Sequence, residues 1–117
     1  MNPITSISTI PDSLTFKKIW ADKLFAPISY IADLAGDESH EIRMLVADNP
    51  VTPLPILEML AEDDHPDVRY TMAENPNLPQ HILKILLHDE NPYVAARAER
   101  TLKRIEEDAC LTYRNCA

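Results

Sequence analysis

Apolar side chains recur at steps of three and four along most of the chain, in short blocks separated by prolines and paired acids. This spacing places them on one side of an α-helix. A proline opens each block, which suits a helix because its missing N–H and fixed φ cost nothing in the first turn. The pattern therefore predicts an all-α fold built from pairs of short helices. In the clearest block the apolar positions are Ile56, Leu57 and Leu60 in the first helix, then Val68, Met72 and Ala73 in the second.

One block of this kind is written nearly three times, at an interval of 26 residues. A fixed period in this range is typical of a solenoid, in which each unit buries its apolar face against the next. The sequence therefore predicts a short α-solenoid of about three two-helix repeats. The residues that recur are the prolines Pro27, Pro53 and Pro79, the arginines Arg43 and Arg69, the Asn-Pro pairs at Asn49 and Asn75, and the corner acids described below.

Local signals set the helix boundaries within each repeat. Thr52 is placed to cap a first helix and Pro53 to occupy its first position. The second helix is expected to stop at Asn49 or Asn75, because each precedes a proline and asparagine tolerates a helix-terminating conformation. These residues, together with Pro79, are predicted to have structural roles.

The two ends of the chain depart from the repeat. Phe16 and Trp20 lie on one face of a first helix that does not match it, and we expect them to cover the end of the core. After Val94, apolar positions continue at helical steps with charged residues on the other sides, which predicts a long C-terminal capping helix. The predicted segments are an extended or disordered lead-in at 1–12, a capping helix at 13–26, repeats with the C-terminal capping helix at 27–108, and a tail at 109–117.

Residues 27–98 carry a specific combination of short motifs. The stretch VADNPVTPLPILEMLAEDDHPDVRYTMAENPNLP contains N-P-x-x-P, L-A-x-D and V-R elements. It resembles the leucine-rich repeat variant (LRV) family. The resemblance implies a right-handed superhelix of alternating longer and shorter helices, related to HEAT repeats. A founder of that family holds an iron–sulfur cluster through cysteines that precede its repeats. This chain has no cysteine before Cys110, so no cluster ligand is transferred to it.

The net charge of −8 is concentrated in the repeats. Residues 1–26 and 92–117 each carry +1, so residues 27–91 carry −10. Nucleic-acid binding by phosphate neutralisation needs clustered Lys and Arg, and anionic membrane surfaces attract the same residues. We therefore expect neither nucleic acid nor a membrane as a partner.

Cysteine usage and hydropathy bear on the compartment. Cys110 and Cys116 are too few for a disulfide scaffold and indicate a reducing environment. No apolar run approaches the roughly 20 residues of a spanning helix, and the first residues lack the pattern of a signal peptide. Cytoplasmic localisation is the expectation.

Candidate chemistry is sparse. With a single glycine, Gly36, neither a P-loop, a Gly-x-Gly-x-x-Gly motif nor a nucleophile elbow is possible. The histidines offer no obvious third ligand for a metal, and the cysteine spacing fits no zinc site. We expect no enzymatic activity, no cofactor and no metal. The four histidines are His40, His65, His81 and His88.

Each repeat turns at a pair of acids. Acids at the start of a helix cap its free N–H groups and complement its dipole. One acid per corner is enough for this, so the second suggests a ridge that docks a basic partner; both roles can hold together. The paired acids are Asp37-Glu38, Asp63-Asp64 and Asp89-Glu90, and Asp67 extends the middle pair.

Arg43 and Arg69 are expected to lie along the stack of repeats. Such an arginine can bond the corner acid or the carbonyl groups of its own or a neighbouring unit. This makes Asp37 and Asp63 the expected partners, and both arginines are predicted to be structural ties.

The expected function is non-catalytic: a small adaptor or scaffold that binds a partner protein through its repeat surface. Besides the acids, Tyr70, Thr71 and Tyr93 are candidate contacts. An amphipathic ring can remain partly exposed, and burial of the two rings between repeats is the competing interpretation. An accessory role on a cofactor- or pigment-bearing partner is the alternative function. Pairing of two molecules through their capped ends is left open.

Overall fold

The computed structural model describes Lys17, Lys18, Ala21 and residues 27–116, with side chains up to residue 111. This part of the chain is all-α, with six helices and no strand. The predicted lead-in at 1–12 lies outside the described residues, as do Phe16 and Trp20. The helices are α1 Ile28–Ala35, α2 His40–Asp48, α3 Leu54–Leu60, α4 Pro66–Glu74, α5 Gln80–Leu86 and α6 Pro92–Cys116.

Helices α4 and α6 each begin at a proline that follows a side-chain cap. His65 Nδ1 accepts a hydrogen bond from the N–H of Asp67 at 3.1 Å. In the same way, Asn91 Oδ1 accepts from the N–H of Tyr93 at 2.9 Å. Each bond satisfies one of the N–H groups that the first turn of a helix leaves free.

The prolines Pro53 and Pro79 precede the helices α3 and α5 and do not open them. Both are N-caps, with ψ of 152° and 135°, and α3 begins one residue later, at Leu54. The cap predicted for Thr52 is wrong. Its buried hydroxyl donates instead to the carbonyl oxygen of Val46 at 2.6 Å, near the end of α2. Thr52 therefore ties the connecting segment to the preceding helix.

Helices α2 and α4 end at Asn49 and Asn75, where the sequence predicts a stop. Their backbone is extended, with φ of −76° and −87°, and no described residue has a positive φ. The proline that follows each asparagine explains this, because it excludes the α region for the residue before it. Each asparagine side-chain oxygen then accepts an N–H two residues on, that of Val51 at 3.1 Å and that of Asn77 at 2.9 Å.

Helix α4 lies in the middle of the packing, between α2 and α6. Helix α1 contacts α2 and α3, and α5 contacts α6. Residues that correspond at the 26-residue interval are buried alike and belong to one apolar cluster. Burial of each large apolar side chain stabilises the fold by roughly 1.5–3 kcal/mol. The corresponding sets are Ile31, Leu57 and Leu83; Leu34, Leu60 and Leu86; Ile42, Val68 and Val94; and Val46, Met72 and Ala98.

Helix α6 is 25 residues long and continues through residues 109–116, which belong to the segment predicted as a tail at 109–117. Neither proline nor glycine occurs in residues 109–116, so nothing local stops the helix. Leu102 and Ile105 still pack against the core, whereas the described side chains from 106 to 111 are exposed. Residues 106–111 are therefore held by helix continuity and not by burial of their side chains.

In the described part of the chain, none of the helices combines the length and apolarity that a bilayer-spanning segment needs.

Candidate protein-binding edge

Three ion pairs recur along one side of the molecule, each between residues 20 apart in sequence. Lys17 Nζ lies 2.6 Å from Asp37 Oδ1. Arg43 Nε lies 2.8 Å from Asp63 Oδ2. Arg69 Nε lies 2.7 Å from Asp89 Oδ2. We call this series the charge ladder. Each rung is displaced by 26 residues from the one before.

The two arginine rungs are bidentate and also hold the backbone of the preceding corner. Besides its Nε bond, Arg43 donates from Nη2 to Asp63 Oδ1 at 3.1 Å and from Nη1 to the carbonyl oxygen of Asp37 at 2.7 Å. Arg69 repeats this arrangement with Asp89 Oδ1 at 3.2 Å and the carbonyl oxygen of Asp63 at 2.5 Å. One guanidinium thus joins two successive corners, which a lysine cannot do with the same fixed geometry.

Asp37 and Asp63, the expected partners of the arginines, both bind them. Each arginine donates to the backbone carbonyl of its own corner, Arg43 to Asp37 and Arg69 to Asp63. The carboxylate that it binds belongs to the next corner, which is Asp63 for Arg43 and Asp89 for Arg69. Asp89 is the partner that the sequence did not indicate.

Lys17 is a rung that sequence reasoning missed. It stands 26 residues before Arg43, so a cation recurs at this position in three units, and Ala21 likewise corresponds to the buried Ala47. Ala21 is itself fully buried, and its carbonyl oxygen accepts a hydrogen bond from Asn49 Nδ2 at 2.9 Å. The 26-residue interval between Lys17 and Arg43 is present in the sequence, but the substitution of lysine for arginine at this position obscures the correspondence.

The carboxylate of the first acid of each corner is bound within the charge ladder. Besides its cation, each of these carboxylates accepts the N–H group two residues later, at 2.8 to 2.9 Å. The side chains of Arg69 and Asp89 are 9% and 7% exposed, so that rung is close to fully buried. Groups of the protein itself therefore occupy the carboxylates that were predicted to bind a partner, namely those of Asp37, Asp63 and Asp89.

The electrostatics of the ladder agree with this geometry. Burial by itself would raise the pKa of Asp37, but the hydrogen bonds from Lys17 and from the Ser39 N–H, with the nearby charge of Arg43, lower it below its usual value. The hydrogen bond to Asp89, against the effect of burial, raises the pKa of Arg69 above its already high usual value. Both groups are charged at neutral pH.

The second acid of each corner has a different environment. Glu38, Asp64 and Glu90 are all exposed, and none has an ion pair with a described residue. Between the second and third corners, an open cleft of about 350 Å³ is lined by Asp64 and Glu90 together with Glu62. We call the three second acids, Glu38, Asp64 and Glu90, the acidic edge.

The other residues predicted to contact a partner differ in their exposure. Tyr93 is 78% exposed, three residues after Glu90, so it belongs to the surface beside the acidic edge. Asp67, 62% exposed, lies in the first turn of α4. Tyr70 is half-buried and packs against the core, and Thr71 is half-buried beside α2. Tyr93 and Asp67 are accessible to a partner, whereas Tyr70 is mainly a packing residue.

No family model, curated protein or solved structure matches the chain. The resemblance to LRV repeats therefore rests on the quoted motifs alone.

Replacing Arg69 by alanine is expected to lower the free energy of unfolding by roughly 3–5 kcal/mol, because Asp89 is then left charged and buried without its partner. Chemical denaturation at neutral pH measures the change. Lys18→Ala is the matched control. Its ion pair with Glu41 is 2.8 Å long, but the side chains are 43% and 50% exposed, so its loss should change the free energy of unfolding very little. Equal losses in the two variants would contradict an internal role for Arg69.

The lowered pKa of Asp37 predicts a stability contribution that depends on pH. Because the folded-state pKa lies below the unfolded value of 3.8, the contribution is present above 3.8 and is lost as pH falls through the folded-state pKa. Asp37→Asn should therefore be less stable than wild type at pH 6, and the gap should shrink as pH falls below 3.8. Urea denaturation across this range measures it, with the exposed Asp48→Asn as control. A gap that does not change down to the lowest pH would refute the ion pair.

Proposed function

We propose that the protein is a short right-handed α-solenoid of LRV-like repeats, and that it binds a basic segment of a partner protein along the acidic edge without catalysing a reaction. In this proposal it is a small adaptor or scaffold of the cytoplasm. In this proposal the helix predicted at 13–26, of which the structure describes Lys17, Lys18 and Ala21, and the long helix α6 cap the two ends of the stack. The presence of Lys17 in the charge ladder supports the assignment of that first helix to the stack.

The observation that carries the proposal is the division of labour at each corner. The first acid bonds a cation and a backbone N–H group of the protein itself. The second acid at the same corner is exposed and makes no ion pair within the described residues. A folding role accounts for the first acid alone. The second one adds charge of a single sign along one edge, which attracts and orients a basic ligand.

The spacing of the acidic edge defines the kind of ligand. Packed helices lie about 8–10 Å apart, so acids at equivalent corners should recur at about that distance. A polyproline II chain has three residues per turn and advances roughly 3.1 Å per residue, so every third side chain lies on the same side and recurs at about 9 Å. A partner segment in this conformation with a lysine or arginine at every third position therefore matches the three acids in register.

Tyr93 adds an aromatic contact at one end of this edge. A residue that is 78% exposed buries little apolar surface, so it contributes little to the stability of the fold. Tyrosine is enriched in protein interfaces because it offers both an apolar face and a hydroxyl group. Its face also attracts lysine and arginine, at about 0.5–1 kcal/mol in exposed positions. We expect Tyr93 to contact the lysine or arginine of the partner that neighbours the basic residue paired with Glu90.

Neutralising the acidic edge tests the proposal. The probe is a polyproline II peptide with lysine at every third position, and its affinity is measured by fluorescence anisotropy. The triple variant Glu38→Gln, Asp64→Asn, Glu90→Gln is expected to bind about tenfold or more weakly, since three exposed ion pairs at up to about 1 kcal/mol each are lost. Wild-type affinity should also fall with added salt.

The matched control carries the same change of net charge elsewhere. Glu99, Glu106 and Glu107 are exposed on α6, and their replacement by glutamine should weaken binding far less. A second control peptide has the same composition with its lysines in one block, and we expect it to bind more weakly. Equal losses in both triple variants, or no dependence on salt, would contradict the proposal.

A further inference from the structure

Two histidines from different helix pairs meet beside the acidic edge. His40 opens α2, and His65 is the N-cap of α4. Their rings are stacked, with centroids 3.9 Å apart and planes inclined by 9°. Both residues are half-buried. Their 25-residue separation falls one short of the 26-residue interval, so a search by repeat position does not pair them.

The repeat does not require histidine at either place. The positions that correspond to His40 are the prolines that open α4 and α6, and those that correspond to His65 are Ser39 and Asn91. Asn91 caps its helix with a side-chain oxygen, and His65 does so with Nδ1. Capping thus explains one nitrogen of His65. It leaves His40, and the meeting of the two rings, unexplained.

A carboxylate completes the group. Asp67 Oδ2 lies 3.9 Å from His65 Nδ1. One potential ligand atom from each of His40, His65 and Asp67 lies within 4.8 Å of the other two. Ligands of one tetrahedral zinc ion lie about 3.4 Å from each other, given metal–ligand distances near 2.1 Å. The 3.9 Å between Asp67 Oδ2 and His65 Nδ1 is longer than this, so the groups must move closer together when a metal binds.

We propose that His40, His65 and Asp67 bind a divalent late transition metal, with Zn²⁺ as the ion that fits best. Two imidazoles favour Zn²⁺, Ni²⁺ or Cu²⁺ over Ca²⁺ and Mg²⁺, which prefer oxygen ligands alone. Zn²⁺ has no geometric preference of its own, so it adapts to a site on flexible surface side chains. Two imidazoles and one carboxylate leave a coordination position for water or for a group of a partner. The proposal does not rest on the acidic edge as a docking site.

Binding requires two local changes. The stacked rings must splay, because the nitrogen lone pairs of parallel rings do not converge on one point. His65 must also give up its cap, since a neutral imidazole has a single lone pair and cannot both accept the Asp67 N–H and bind a metal. Both changes lower the affinity. Neither moves the backbone, and a half-buried imidazole can adopt another rotamer.

Metal binding would join two helix pairs. His40 belongs to α2, whereas His65 and Asp67 belong to α4. A site formed from both exists only in the folded protein, so bound metal stabilises the fold by mass action. We therefore expect the melting temperature to rise by about 5 °C or more when Zn²⁺ exceeds its dissociation constant tenfold.

Calorimetric titration of the full chain with Zn²⁺ is the test, in a background with Cys110 and Cys116 replaced by serine. One equivalent should bind. His40→Ala, His65→Ala and Asp67→Asn should each weaken binding at least about tenfold, because even the loss of an outer-shell partner costs roughly 10–100-fold. His81→Ala is the matched control. This exposed histidine also lies 3.9 Å from a carboxylate, that of Glu58, but it has no second imidazole beside it, and its loss should leave the affinity unchanged.

A spectroscopic readout on the protein without histidine substitutions keeps the test independent of folding defects. In long-range ¹H–¹⁵N spectra, Zn²⁺ should shift the imidazole nitrogens of His40 and His65 and leave those of His81 and His88 in place. The proposal would be overturned by no binding up to millimolar Zn²⁺, by equal weakening of binding in His81→Ala, or by shifts confined to His81 and His88. A thiolate-to-Co²⁺ charge-transfer band in the cysteine-containing chain, with no imidazole shifts, would place the metal on cysteine and would overturn it too.

Discussion

The structure depends on the guanidinium–carboxylate contact that joins each corner to the next. A helix pair of about 26 residues is too small to bury its apolar face alone, so it must pack against its neighbours. Apolar contacts between neighbours are non-directional and tolerate sliding. The bidentate arginine fixes the position of one helix pair relative to the next. Its Nε and Nη2 donate to the carboxylate of one corner, and its Nη1 donates to the carbonyl oxygen of the previous corner. Any shift between the units would break all three bonds.

This constraint explains why the corners carry two acids. The first acid has its lone pairs used by a cation from the preceding unit and by an N–H group of its own turn. It is unavailable to a partner for the same reason that it stabilises the fold. The second acid lies outside the ladder and is exposed. In the proposed function, folding and recognition are thereby assigned to adjacent residues, and one can be changed without the other.

Much of the fold was predictable because its signals are local and periodic. The all-α class, the stops at Asn49 and Asn75 and the buried sets at the 26-residue interval all follow from proline chemistry and helical spacing. The errors were of two kinds. Thr52 and Pro53 were misplaced by a residue or more, since a buried hydroxyl found an acceptor in the preceding helix. The continuation of α6 past residue 108 was missed because the side chains of residues 109–111 are exposed and give no apolar periodicity to mark it.

The candidate sites were less predictable, since they depend on direction and on contacts between units. Sequence shows that Arg43 recurs as Arg69 but not that each side chain reaches forward to the next corner. Lys17 could have been found by its interval, but substitution of one cation for another hid it. His40 and His65 could not be paired from the sequence, because they occupy non-equivalent positions that only the packing brings into contact.

The central claim is that one acid per corner is an internal tie and that its neighbour makes no ion pair within the described residues. A double-mutant cycle on Arg43 tests this most directly, with Asp63 in one cycle and Asp64 in the other, both measured by urea denaturation. The account predicts a coupling free energy of at least about 1 kcal/mol between Arg43 and Asp63, and one within about 0.3 kcal/mol of zero between Arg43 and Asp64. Equal couplings in the two cycles, or a larger one with Asp64, would contradict it.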